Sequence, residues 1–212
     1  SAGGSAKQAR NRENQAVLPL RGKILNVANA GKDKLAGNQQ IGDLTQALGA
    51  GTGSSYREED LRYDKVIIMT DADVDGAHIA SLLITFFYRQ MPLLIDQGHL
   101  YLAVPPLYRL SQGGKNAYAR NDQHKDELLK NFFGGRKTEV GRFKGLGEMT
   151  APQLKETTMD PSKRLLLRVT LSDAARTTTA KVVEQLMGNK PEERFNFISE
   201  RAQFVEEEAL DV

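Results

Sequence analysis

Asp71, Asp73 and Asp75 stand two residues apart, with Gly76 directly after them. Upstream runs Val66-Ile67-Ile68-Met69, an unbroken β-rich apolar stretch of the kind found in strands buried on both faces. Carboxylates at i, i+2 and i+4 that leave such a strand in extended geometry project to the same side. In open α/β sheets, that carboxyl end of the strand is where ligands bind. Like charges crowded there repel one another unless a cation neutralises them. Hard oxygens with no His or Cys among them select Mg²⁺, with Mn²⁺ or Ca²⁺ able to substitute, over zinc or copper. Mg²⁺ completes its octahedron with water and phosphate oxygens, so the chemistry expected is at a phosphate, whose phosphorus the ion would polarise.

Two other readings compete for this run. The spacing D-x-D-x-D-G fits the first six positions of an EF-hand loop. Position twelve would then be Leu82, where a bidentate Glu is required, and the preceding segment is a strand and not a helix. The other competitor is a charged turn facing water, which is common for one Asp and less so for three after a buried strand. His78 begins the next helix, where it either donates to a phosphate near that N-terminus or faces solvent.

The elements that must position these residues follow from periodicity. The long apolar segment from Ala77 to Ile95 reads as a helix packed on the sheet, and Leu100 to Val104 as a second buried strand ended by Pro105-Pro106. Residues 7–16 are polar and basic and can start as a helix, whereas 17–26 read as an irregular extended segment. Ile41, Leu44, Ala47 and Leu48 fall on one face of a helix over 38–48, and the glycine-rich stretch after it is a loop. An edge strand is expected at 118–120 and a helix over 122–133 stopped by Gly134-Gly135. Residues 142–149 form a tight basic turn, followed by a short helix over 151–157 and a strand over 164–171. Ser172 is a suitable N-cap for a helix to about Met187, and Pro191 opens a last helix carrying Phe195, Ile198 and Phe204. The fold class is α/β, with a mostly helical C-terminal tail.

The chain has 212 residues, 40% of them hydrophobic, enough for one sizeable core or one core with an appendage. Its 29 basic and 27 acidic residues leave a net charge of +2, so any nucleic-acid role rests on a local patch. The absence of cysteine excludes disulfides and thiolate metal sites and fits a cytoplasmic location. No apolar run approaches the roughly 20 residues needed to cross a membrane, so no membrane partner is expected. The opening Ser1-Ala2-Gly3-Gly4-Ser5-Ala6 has the composition of a linker.

With the elements in place, the segment from Ile67 to Ile79 resembles the TOPRIM metal motif of gyrase and topoisomerase IV B subunits, the bacterial type IIA topoisomerase family. Further blocks match in order: Ser1 to Lys7, Leu18 to Asn26, Pro105 to Tyr108, Arg142 to Met149, and Glu156 to Pro161. The likeness covers essentially the whole chain, so residues 1–6 read as native sequence. It implies a TOPRIM, Rossmann-like parallel sheet flanked by helices, with a metal-binding core over 1–120, a short variable insertion over 121–141, and TOPRIM completion plus tail over 142–212. A different TOPRIM protein, such as a primase or nuclease, would not share the blocks at 18–26 and 142–149.

The resemblance also implies roles. Asp71 and Asp73 would hold Mg²⁺ at a scissile phosphate, and Asp73 with Asp75 a second position. Lys23, Asn26, His78 and Arg194 match DNA-contacting positions, with Arg21 and Lys144 as neighbours of the phosphate backbone. Such cations set affinity and salt dependence, not sequence choice. The implied partners are double-stranded DNA and the topoisomerase IV A subunit, or gyrase A, whose tyrosine attacks the phosphodiester. The short 119–141 stretch, residues 80–85 and the strand at 100–104 lean towards topoisomerase IV over gyrase. The family's general acid/base glutamate falls just upstream of Ser1, along with the strand leading to it and the ATP-binding domains. This polypeptide alone is therefore expected to be inactive in ATP hydrolysis and DNA cleavage.

Overall fold

The computed structural model describes residues 2–204; Ser1, the first residue of the opening matched block, lies outside them. Contacts divide the chain into two units: Ser1–Pro19, Met69–Ala77 and Leu102–Leu167 form the first, and Leu20–Ile68, His78–Tyr101 and Arg168–Val212 the second. Among the described residues no helix is long and apolar enough to cross a membrane.

The strand–helix–strand core expected around the acidic run is present. Strand β1 (Val66–Ile68) is followed by the long helix α4 (Val74–Gln90), a short helix α5 (Pro92–Asp96) and strand β2 (Leu100–Ala103). The expected single helix over 77–95 is two helices because Pro92 occupies the first turn of α5, and Met91 before it leaves helical geometry (φ −141°, ψ 55°). Val66 N–H donates to the His99 carbonyl, so β1 and β2 start side by side and run parallel. The third member, β6 (Leu166–Arg168), completes the order β1–β2–β6. It runs antiparallel to β2: Val104 N–H reaches the Leu165 carbonyl at one end and Val169 N–H the Leu100 carbonyl at the other.

A second sheet lies wholly within the first unit and departs from the all-parallel expectation. Strands β3 (Tyr108–Gln112), β4 (Lys115–Ala119) and β5 (Glu139–Arg142) pair antiparallel in the order β4–β3–β5. The hairpin turns at Gly113 (φ 53°) and Gly114 (φ 82°), where the left-handed backbone of a two-residue turn favours glycine. Its inner face carries Tyr108, Leu110 and Ala119, packed with Phe133 beyond helix α6 (Asp122–Glu127). β3 and β5 escape sequence inspection because their apolar residues are few and alternate with polar ones. α6 is shorter than expected and passes into a wider π-turn over Leu128–Phe132 before the glycine stop.

Helix α1 (Ala2–Ala9) begins earlier than its sequence suggests. Gly3, Gly4 and Ser5 are poor helix formers, but Ala6 and Ala9 fall on one buried face, and Ala9 joins a cluster with Leu146, Met149 and Leu154. Leu154 belongs to helix α7 (Ala151–Leu154), whose start is fixed by Thr150 and Gln153 capping each other's backbone amides. In the second unit, helix α2 (Lys32–Ala36) precedes α3 (Gln39–Leu48). Asn38 caps α3 through the Ile41 amide, Ile41, Leu44 and Leu48 form its buried face, and Gly49 (φ 79°) ends it. Ser172 precedes a 3₁₀ turn and makes no side-chain cap to α8 (Arg176–Met187); α9 (Pro191–Arg201) follows, with Phe195 and Ile198 exposed.

Leu154 is fully buried. Leu154→Ala is expected to cost about 2–5 kcal/mol from lost transfer free energy and the cavity left behind. Urea unfolding of the two proteins measures this, and a loss below ~1 kcal/mol would show that the α1–α7 cluster is not part of the cooperative core.

Candidate metal centre

The acidic run does not stay extended. The backbone bends at Ala72 and Asp73, and α4 is already helical at Val74, which places Asp75 in its first turn. The expectation of three carboxylates projecting together from an extended strand end is corrected here. The physical reason is Asp73 itself: its Oδ1 accepts the Gly76 N–H at 2.7 Å and its carbonyl accepts the Ala77 N–H at 3.0 Å. An Asp that caps a helix start draws the chain into helix within one residue.

Asp71 is held differently. Its Oδ1 accepts the Leu146 N–H at 2.7 Å, a short bond assisted by the carboxylate charge. Two glycines make room for it. A Cβ at Gly145 would lie 2.8 Å from Asp71 Oδ1 and 2.9 Å from its Cγ, and one at Gly76 would lie 2.0 Å from the Asp71 carbonyl oxygen. Gly76 is thus required by a backbone collision, and Gly145 by a carboxylate. The turn carrying Leu146 is tightened in turn by Lys144 N–H donating to Glu148 Oε2 at 2.8 Å. Beneath it, Ala72, Pro105, Pro106, Leu107, Phe143 and Met149 line a small niche of about 10 Å³.

The donors suit a hard cation. One oxygen of Asp71 and one of Asp73 are engaged by backbone amides, which orients both carboxylates and leaves each a second oxygen. Among the described residues no three acids or histidines stand close enough together to enclose an ion. An ion here would take few protein ligands, as Mg²⁺ does when water and phosphate complete its shell.

The residues anticipated as DNA contacts fall in two places. Lys144 is exposed on the first unit, in the loop that faces Asp71. In the second unit, Asn26 and Arg194 converge on the C-terminus of α8: Asn26 Nδ2 donates to the Met187 carbonyl at 2.9 Å, and Arg194 Nη1 to the Leu186 carbonyl at 2.8 Å. Both satisfy carbonyls that a helix end leaves without partners. Arg21 and Lys23 are exposed, and the Arg21 carbonyl accepts Gln40 Nε2 at 2.8 Å. His78 is exposed in the second turn of α4.

Sequence inspection missed the Leu146 amide and Glu148, although the glycine-bearing turn around them was singled out. It also missed Tyr118, whose hydroxyl donates to Glu156. The Tyr118 phenol is pushed up to about 12, first by burial and then by that carboxylate, with the Arg109 charge opposing.

Gly76→Ala is expected to destabilise the fold by roughly 1–3 kcal/mol or more through overpacking against backbone. Gly145→Ala should cost less and instead speed hydrogen exchange of the Leu146 amide; equal exchange in wild type and variant would refute the role given to Gly145. Because the Tyr118 phenol is raised above its ordinary value of 10.0, its contribution to stability is complete below that pH and is lost as pH rises towards 12. A spectrophotometric titration of wild type against Tyr118→Phe checks this: the phenol missing from the variant should be one that titrates above the ordinary value of 10.0.

The chain is similar in sequence to known proteins. Residues 1–105 match the Toprim domain, and residues 135–199 the carboxyl terminus of the DNA gyrase B subunit. The chain is 69% identical over 205 residues to the DNA topoisomerase 4 B subunit of Bartonella bacilliformis, covering 96% of this chain and 30% of that protein. It is 67% identical over 204 residues to the protein of the same name in Caulobacter vibrioides, covering 96% and 29%. The DNA gyrase B subunit of Thermotoga maritima is 52% identical over 212 residues, covering 100% and 32%. The chain thus spans less than a third of the length of these curated relatives. From its Toprim domain through its gyrase B carboxyl-terminal segment, the chain belongs to the bacterial type IIA topoisomerase B-subunit family.

Proposed function

We propose that this chain supplies the Mg²⁺- and DNA-binding part of a topoisomerase IV B subunit, working in the cytoplasm with an A subunit in a heterotetramer. The observation that carries the reading is the pair of oriented carboxylates, Asp71 on the Leu146 amide and Asp73 at the start of α4. Asp71 and Asp73 would hold one ion, and Asp73 with Asp75 a second. When bound, Mg²⁺ neutralises charge developing at a phosphate under attack. The chain's own residues orient the donors, exclude bulk from the Asp71 niche through Gly76 and Gly145, and offer Lys144, Arg21, Lys23, Asn26, His78 and Arg194 to DNA. The attacking tyrosine is expected from the A subunit, and ATP binding from N-terminal domains outside this chain; together these would support strand passage, giving decatenation and relaxation.

A second reading is the equivalent region of a gyrase B subunit, which would serve negative supercoiling. The 52% identity to a gyrase protein across the whole chain favours it, and the higher identities to topoisomerase 4 proteins favour the first. A complete B subunit containing this sequence, paired with its A subunit, separates them: unlinking of catenated circles without negative supercoiling supports topoisomerase IV.

The metal assignment is tested by titrating Mg²⁺ calorimetrically into the wild-type chain and into Asp73→Asn. Asn still caps a helix, so the fold is retained while the charge is lost. The expected result is binding to wild type and at least a tenfold weaker response from the variant, in line with the loss of a ligand charge. Identical binding isotherms would overturn the role of Asp73.

A further inference from the structure

Tyr118 sits on β4, away from the acidic run in sequence, yet it is connected to Asp71 through Phe143. Its ring stacks on Phe143, with centroids 6.5 Å apart and planes inclined by 19°. Its hydroxyl donates to the Glu156 carboxylate in the turn that continues α7. Phe143 in turn opens the Phe143-Lys144-Gly145-Leu146 segment whose last amide holds Asp71. That segment has no strand pairing of its own from Phe143 to Gly145, so the place of the Leu146 amide depends on how its ends are anchored. Downstream, Leu146 is buried with Ala9, Met149 and Leu154. Upstream, the anchors are the Phe143 N–H on the Leu107 carbonyl at 2.8 Å, its side chain against the same cluster, and the Tyr118 ring.

We propose that Tyr118 is a positioning residue for Asp71, acting through Phe143, with Glu156 fixing the orientation of the Tyr118 ring. A phenyl stack alone is tolerant of sliding and rotation, since offset arrangements lie close in energy. The hydroxyl–carboxylate bond removes that freedom. The tolerance at the other end is small, because Gly145 approaches the Asp71 carboxylate so closely that not even a methyl group fits between them. A shift of Phe143 is therefore passed to the carboxylate instead of being absorbed. The phenol, raised to about 12 by burial and by Glu156, stays a donor throughout the neutral range.

This inference rests on the metal reading for its consequence but not for its geometry, and the experiment separates the two. The chain is prepared as wild type, Tyr118→Phe, Tyr118→Leu, Phe143→Leu and the Tyr118→Leu/Phe143→Leu pair. Two quantities are measured: Mg²⁺ affinity by calorimetry, and the Leu146 amide shift by ¹H–¹⁵N NMR. Tyr118→Leu is expected to weaken Mg²⁺ about tenfold, the scale seen when a partner supporting a metal ligand is removed, and to move the Leu146 amide resonance. Tyr118→Phe, which keeps the ring but loses the hydroxyl that fixes its orientation, should bind with an affinity between those of wild type and Tyr118→Leu. In the Phe143→Leu background, Tyr118→Leu should add nothing further, as expected for residues acting in series. Wild-type affinity in Tyr118→Leu, or additive losses in the double variant, would overturn the proposal. If wild type itself binds no Mg²⁺, the metal reading falls, and the Leu146 resonance alone decides: an unmoved amide in Tyr118→Leu refutes the positioning role.

Discussion

The hydrogen bond from the Leu146 amide to Asp71 is the constraint on which the site depends. It joins residues 75 positions apart in sequence at 2.7 Å. A hydrogen bond to a charged group is worth about 1.5–3 kcal/mol, and less where, as at Asp71, the carboxylate is exposed to solvent. The bond exists only because two positions lack a side chain. Gly145 leaves space for the carboxylate and Gly76 for the carbonyl of the same aspartate. The conformation of one residue is therefore dictated by steric absence at two others, contributed by the helix that follows it and by a distant turn.

Asp73 carries two demands at once. As cap to α4 it satisfies the Gly76 amide, and as a carboxylate it adds negative charge at a helix N-terminus, where the macrodipole favours it. Asp75, in the first turn, benefits from the same field. The helix end thus favours the negative charge of Asp73 and Asp75 at its start. The Asp71 and Asp73 carboxylates are oriented by backbone amides.

In the second unit the same economy of polar groups appears at the end of α8. Asn26 and Arg194 come from segments far apart in sequence, yet both take carbonyls of the last helical turn. Any role toward DNA would use what these side chains have left: Arg194 retains further guanidinium donors, whereas the Asn26 amide is engaged at both its ends, with Oδ1 accepting the Ala28 amide.

Much was legible in the residues alone. The β-rich run at 66–69, the long apolar segment beyond the aspartates and the strand at 100 gave an α/β core, because hydrophobic periodicity reports burial directly. The Gly134-Gly135 stop and the Pro191 start were readable for the same local reason, since each acts within one turn of itself; Asn38, read as the first residue of its helix, is its cap. What tertiary structure decided was of a different kind. Helix α1 forms over glycines because Ala6 and Ala9 are buried, and the antiparallel β4–β3–β5 sheet forms from weakly patterned strands because its partners cover one face. The aspartates themselves were plain in the sequence, as hard oxygen donors of the type that suits Mg²⁺. Their arrangement was not, since spacing alone suggested an extended row, whereas a helix cap turned Asp73 and Asp75 away from it and a distant amide claimed Asp71. Residue type sets what a carboxylate can bind; only the folded chain determines which of its oxygens remain to do so.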